Sequence, residues 1–252
     1  MSLEQDVSLN DMIKLRRQSL LEGIVLDYSF DEMFMIDSHQ QRQAFYSSIN
    51  SNDPRETFPH GPPSPSGSKF SLSLTEDAYI TVPRVVDRNV MTTRFWLFIN
   101  TVNPEHHFKS LFYTREVSSG NRNLRVRLWP GINRLQVIVG TESGDETIDT
   151  ISSLLSRKWY NIAITIINDQ NRVNVYINGY LDGNSMVLSR NRETTNEVSD
   201  YIIGRSADLP GVNAYVDGLQ IFERELEPVE ITPANSFLQS SATPFIMHGC
   251  QS

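Results

Sequence analysis

Cysteine is nearly missing from this chain of 252 residues: the one copy, Cys250, stands third from the end. A lone cysteine excludes an internal disulfide and any cysteine-built metal site. A β domain that manages without disulfides fits a reducing compartment. Acceptors for N-glycosylation are missing as well, since no asparagine is followed by x-Ser/Thr. No apolar run approaches the roughly 18 residues that a membrane-spanning helix requires. The opening MSLEQDVSLNDMIKLRRQ lacks the basic and apolar regions of a secretory signal. These absences lead us to expect an intracellular protein. The alternative is an extracellular one, if the chain is part of a longer secreted protein. Lysine is scarce, at four of the 22 basic residues against 30 acidic ones. The resulting charge of −8 argues against nucleic-acid binding, which depends on basic side chains neutralising phosphates.

What is present is β sequence. Lys158 to Asp182 (KWYNIAITIINDQNRVNVYINGYLD) holds two apolar runs on either side of Asn168-Asp169-Gln170-Asn171. The second run is cut by Asn178-Gly179, a strong hairpin signal because both residues tolerate φ > 0. Upstream, Gly23 to Phe30, Phe70 to Leu74, Tyr79 to Val82 and Lys109 to Arg115 read as strands. Met91 to Asn100 (MTTRFWLFIN) is apolar on both faces around Trp96, as a central strand is. Asn123 to Trp129 alternates Leu124, Val126 and Leu128 with Arg125 and Arg127, which predicts one core face and one wet, basic face. Tyr201 to Gly204 and Tyr215 to Phe222 close the series. Short strands with turns every 8–12 residues and little helix predict an all-β antiparallel two-sheet sandwich.

Three segments depart from that pattern. Residues 1–21 read as a short N-terminal helix, with Leu9, Met12, Ile13 and Leu20 near one face. Residues 33–68 form a Pro/Ser-rich insertion, with a short helix expected within Met33 to Tyr46 and a loop over Ser47 to Ser68. Residues 233–252 form an irregular C-terminal tail whose Phe237, Leu238, Phe245, Ile246 and Met247 suit burial by a partner. Between the ends, residues 22–232 are expected to be one sandwich domain.

Several motifs, in order, carry a family resemblance. They are Trp159 to Thr165, Val175-Tyr176-Ile177-Asn178-Gly179, Ile203-Gly204-Arg205, and Val216 to Phe222 followed by Leu226 and Glu230-Ile231. Together they resemble the C-terminal half of laminin-G-like and pentraxin-like domains, which belong to the concanavalin-A-like jelly rolls. The resemblance covers roughly residues 22–232 and implies a jelly-roll sandwich. Trp159 is expected to plug the space between the sheets. Asn178 and Gly179 are expected to set hairpin register, Gly204 marks the Ile-Gly strand, and Asp217 is expected to cap a loop or pin the closing strand to the first.

Chemistry is sparsely signalled. Glycosidases of this superfamily use two carboxylates on alternating strand positions; here Asp217 is followed by Gly218-Leu219-Gln220, and no E-x-D-x-x-E occurs. The expectation is no enzyme, with a glycan-acting enzyme as a minor alternative. The pentraxin pattern places Asp77 and Asp208 where calcium ligands stand, with Ser206 in place of an expected acid. The cofactor expectation is therefore none, with Ca2+ as the alternative. Trp129 beside Arg125 and Arg127 is the best candidate for a ligand-binding platform.

Two functional readings remain. The first is a non-catalytic binding or scaffold module, making protein–protein contacts through the N-terminal helix, the Pro-rich loop and the C-terminal tail. The second is an extracellular lectin-like or adhesion domain binding carbohydrate, with or without Ca2+.

Overall fold

The structure, a computed structural model, describes residues 22–31, 36–38, 43–48, 51–55, 58–86, 88–101, 107–116, 124–142, 144–183, 185–189 and 198–231. The expected N-terminal helix and C-terminal tail lie outside the described residues.

Among the described residues seventeen strands build two antiparallel sheets. In chain order they are β1 (Ile24–Tyr28), β2 (Phe45–Ser48), β3 (Ser51–Arg55), β4 (His60–Gly61), β5 (Ser71–Leu74), β6 (Ala78–Val86), β7 (Val90–Ile99), β8 (Lys109–Glu116) and β9 (Leu124–Leu128). There follow β10 (Arg134–Thr141), β11 (Gly144–Ser153), β12 (Trp159–Ile167), β13 (Arg172–Ile177), β14 (Tyr180–Leu181), β15 (Met186–Val187), β16 (Val198–Gly204) and β17 (Ala214–Phe222). One helical turn, α1 (Pro228–Ile231), follows the last strand. The nine-stranded sheet runs β14-β13-β12-β7-β17-β5-β4, with β1 also on β17 and β15 also on β13. The eight-stranded sheet runs β11-β10-β9-β8-β16-β6-β2-β3.

Residues alternate between faces along each strand, and the inner faces share one core. Leu72, Leu97, Ile162, Val216 and Ile221 come from one sheet, and Ile80, Leu111, Val126, Val137 and Ile203 from the other. The Asn178-Gly179 turn carries φ of 54° and 87°, joining β13 to β14 in two residues. The Asn178 side chain also accepts the Asn161 backbone N–H at 2.9 Å, which ties the turn to β12. Gly204 sits at φ 106°, and a Cβ there would fall 2.4 Å from the Ala78 carbonyl oxygen.

The insertion is more regular than its composition suggests. The described part of Met33 to Tyr46, where a helix is expected, pairs instead: Ile36 bridges Gln43, and Phe45–Ser48 is strand β2. The expected loop over 47–68 supplies β3 and β4 as well, and residues 62–70 connect β4 to β5 without pairing. Proline tolerates edge strands, and β3, which contains Pro54, is an edge strand. That is why a Pro-containing segment is strand here.

The outer face of the nine-stranded sheet is divided along its strands. At one end a second cluster of Ile24, Ala163, Tyr176, Phe222, Leu226 and Ile231 is roofed by the turn leading into α1. There Glu230, 3 % exposed, takes two charge-assisted bonds of 2.7 Å from Arg224. This pairing raises the Arg224 pKa further above its ordinary value. In the middle, Asp217 holds the 62–70 connection down. Among the described residues the other end has no such cover.

Candidate functional site

Two outer faces bring together residues with chemistry, one on each sheet. On the eight-stranded sheet Arg125, Arg127 and Trp129 stand on the side of β9 away from the core, alternating with Leu124, Val126 and Leu128. Arg127 donates from Nε to Gln136 Oε1 at 2.6 Å and lies over the Phe108 ring at 3.8 Å. Phe108 in turn packs on Trp129 at 4.7 Å. The Trp129 indole N–H and the Gln136 amide both donate to Asp149 Oδ1, at 2.6 and 2.8 Å. Arg125 pairs with Asp145. Burial and the neighbouring Arg125 lower the Arg127 pKa, while Asp208, Asp149 and Asp145 oppose that shift.

Asp208 joins the same place: a cleft between this face and the 205–209 turn is lined by Arg125, Arg127, Ser206, Asp208 and Leu209. Only about 20 Å³ of it admits the centre of a water molecule, room for little more than one water. The hydrogen-bonding groups around it are largely spent on one another. Asp208 accepts from Ser206 Oγ at 2.7 Å, and Asp77 has the Arg205 guanidinium 3.9 Å away. A cation beside Asp77 opposes a second cation there. Among the described residues no group of three or more His, Cys, Asp or Glu side chains is placed to hold a metal ion.

The second face is marked by no motif in the sequence. Trp159 does not plug the sandwich. Tyr160 occupies the core, so by strand parity Trp159 points to the outer face of the nine-stranded sheet, where it is half-buried. It is directly opposite Phe98 of β7, and Phe98 is directly opposite Tyr215 of β17. The three rings form a row across three adjacent strands, with centroids 5.4 Å (Trp159–Phe98) and 5.6 Å (Phe98–Tyr215) apart. Gly61 of β4 closes the row: a Cβ there would fall 2.4 Å from Tyr215 Cδ1. The glycine lets the backbone press against the ring and fix it. Beside the row lies a cleft lined by Phe98, Asn100, Thr101, Ser156, Arg157 and Tyr215, with about 630 Å³ open to water centres. That volume is in the range of small-ligand sites.

Arg157 sits at the tip of the turn between β11 and β12 with φ of 62°, uncommon for a side-chain-bearing residue. The turn is braced by backbone N–H groups of Leu154 to the Asn133 carbonyl (3.0 Å), Leu155 to Tyr160 Oη (3.0 Å) and Arg157 to the Ile99 carbonyl (2.7 Å). Arg157 forms no ion pair among the described residues.

Next along β17, Asp217 is 0 % exposed. Its Oδ2 accepts from Ser64, Ser66 (2.8 Å) and Ser68, so the carboxylate caps the serine-rich connection. Burial pushes its pKa up; the three hydroxyls and the Gly218 backbone pull it part of the way back.

A sequence model of the concanavalin A-like lectin/glucanases superfamily matches residues 74–232, well over half of the chain. Among solved structures, domain 4 of AbnA, a GH43 extracellular arabinanase from Geobacillus stearothermophilus solved with arabinotriose, superposes with a TM-score of 0.65. It is 20 % identical, over 83 % of this chain and 97 % of that one. Botulinum neurotoxin type C, whose cell entry depends on interaction with two ganglioside molecules, gives 0.62 at 16 % identity over 91 % of this chain. The binding domain of botulinum neurotoxin DC in complex with rat synaptotagmin II gives 0.62 at 16 % identity over 86 %. This chain spans 52 % and 51 % of the length of those two. Identities this low establish a shared fold. No curated protein matches the chain.

Proposed function

Because the chain belongs to the concanavalin A-like lectin/glucanases superfamily, we propose that it is a non-catalytic binding module whose ligand is a glycan, held on the Trp159–Phe98–Tyr215 row. The observation that carries this reading is the row itself: three half-buried rings in register on a sheet face, beside a cleft wide enough for a ligand. Half-buried aromatic rings in a soluble protein present apolar surface that a partner can cover. The apolar face of a sugar ring fits such a surface. Asn100, Thr101 and Ser156 supply the polar groups that orient a ligand.

The non-catalytic part of the reading draws on the cleft lining. Cleavage of a glycosidic bond uses two carboxylates flanking it, and none of the six lining residues carries one. Solved structures of similar fold lend further support: the AbnA domain is in complex with arabinotriose, and the ligand-binding domain of botulinum neurotoxin serotype D is in complex with N-acetylneuraminic acid. The protein-contact reading has a surface of its own. Ile151 and Tyr180 are 71 % and 75 % exposed on β11 and β14, at the same lateral end of the two sheets.

The test is isothermal titration of the chain with a panel of neutral and acidic oligosaccharides, repeated with Trp159→Ala and Tyr215→Ala. Binding by the native chain that weakens at least tenfold in each variant supports the reading. If the panel gives no heat, or binding survives both substitutions, the glycan site is not on this row.

A further inference from the structure

We propose that the glycan on the aromatic row carries a carboxylate and that Arg157 receives it; this rests on the glycan reading above. Three observations converge on Arg157. It lines the same cleft as Phe98 and Tyr215, so a ligand lying on the rings comes within its reach. Its guanidinium makes no ion pair among the described residues, although the chain carries eight more acidic than basic groups. By contrast Arg88, Arg115, Arg125, Arg172 and Arg224 are each paired with an acid. Its backbone is held at φ 62°, a conformation unfavourable for an arginine, by a turn braced at three points. Glycine or asparagine occupies such a position with less strain. An arginine kept there presents a fixed cation beside the rings.

The chemistry selects the ligand class. A planar guanidinium donates two parallel N–H···O bonds to a carboxylate, a geometry that a neutral hydroxyl cannot reproduce. Among the described residues none that lines the cleft is acidic, so none of them competes for the cation or repels an anion. Asn100, Thr101 and Ser156 are left for hydroxyl groups of the same sugar. Uronic acids and sialic acids both offer an apolar ring face with a carboxylate at its edge, and they share the recognition described here. Lys158, the next residue, has its ammonium 5.5 Å from the centroid of Tyr160, so it serves as the control cation.

The experiment is calorimetric titration of the whole chain with three saccharides of similar size: a neutral arabinotriose, a trigalacturonate and an N-acetylneuraminic acid–capped lactose. It is run at low and at high salt, on the native chain and on Arg157→Gln, Arg157→Gly and Lys158→Gln. At least one acidic saccharide should bind at least tenfold tighter than arabinotriose at low salt, and the advantage should shrink as salt screens the pair. Both Arg157 variants should lose that preference while still binding the neutral sugar. Arg157→Gly should do so with a melting temperature no lower than native, because glycine relieves the backbone strain. Lys158→Gln should keep the preference. If acidic and neutral sugars bind equally, or Lys158→Gln rather than Arg157→Gln removes the preference, the carboxylate assignment is overturned and the glycan reading stands. If no saccharide binds, both fall. The relative affinity of the two acidic sugars distinguishes uronate from sialate recognition.

Discussion

The two outer faces of the sandwich hold similar residue types and put them to different use. On the eight-stranded sheet Arg127, Phe108, Trp129, Gln136 and Asp149 form a closed circuit: guanidinium on ring, ring on ring, indole and amide on carboxylate. Each group's main interaction is with another member, and about one water fits in the cleft beside them. On the nine-stranded sheet Trp159 and Tyr215 each lie tilted against Phe98 in a row, with an arginine and three small polar side chains around an open cleft. The contrast teaches that arginine beside tryptophan does not by itself mark a binding surface. What marks one is interaction capacity that the chain has not already spent within itself.

Three experiments break or sharpen this contrast. The largest effect is expected from Asp217→Ala, next to the aromatic row. It leaves the buried Ser64 hydroxyl, with those of the half-buried Ser68 and the exposed Ser66, without their acceptor, and stability to urea should fall by about 2–3 kcal/mol. Asp217 also makes the nine-stranded face pH-sensitive. Its folded pKa is raised, so the stability it contributes is complete below the ordinary aspartate pKa of about 4. That stability is lost as pH rises through the elevated folded value. Asp217→Asn should flatten that part of the profile. A profile that keeps its slope in Asp217→Asn would assign the titration to another group.

A smaller effect separates the faces directly. Arg127→Ala removes one stacking contact and one hydrogen bond, and should lower stability by about 1–2 kcal/mol while leaving saccharide affinity within twofold. Loss of saccharide binding in this variant would move the site to the eight-stranded sheet and reverse the comparison. The smallest effect concerns Asp77 and Asp208. With Arg205 beside one and Ser206 bonded to the other, millimolar calcium should shift the melting temperature by less than a degree relative to chelator. An upward shift of several degrees would place a calcium site there, because an ion that binds only the folded chain must stabilise it.

The fold was legible from the sequence. Alternation in Leu124 to Leu128, the Asn178-Gly179 turn and the run of short apolar segments predict antiparallel sheets, and antiparallel sheets are built here. The candidate ligand row was only half legible. Met91 to Asn100 is apolar on both faces, which reads as a strand buried on both sides; yet among the described residues no segment roofs the half-buried outward Phe98, while the outward Thr92 lies under the turn that leads to α1. The Trp159-Tyr160 pair left one parity choice open. Size favours the larger ring as the plug, and the smaller one takes the core. The Pro/Ser-rich insertion concealed edge strands, because composition reports the average tendency of a segment and an edge requires pairing on only one side.

By itself the sequence determined what depends on neighbours along the chain: which runs extend, where the Asn-Gly hairpin turns, and that one face of β9 is basic. Only the tertiary structure decided which outer surface stays open. Trp159, Phe98 and Tyr215 are more than fifty residues apart from one another along the chain and become one row only through the pairing of β12, β7 and β17. Whether a cation beside such a row is free depends on where every acid ends up, and the order of residues along the chain does not contain that distance.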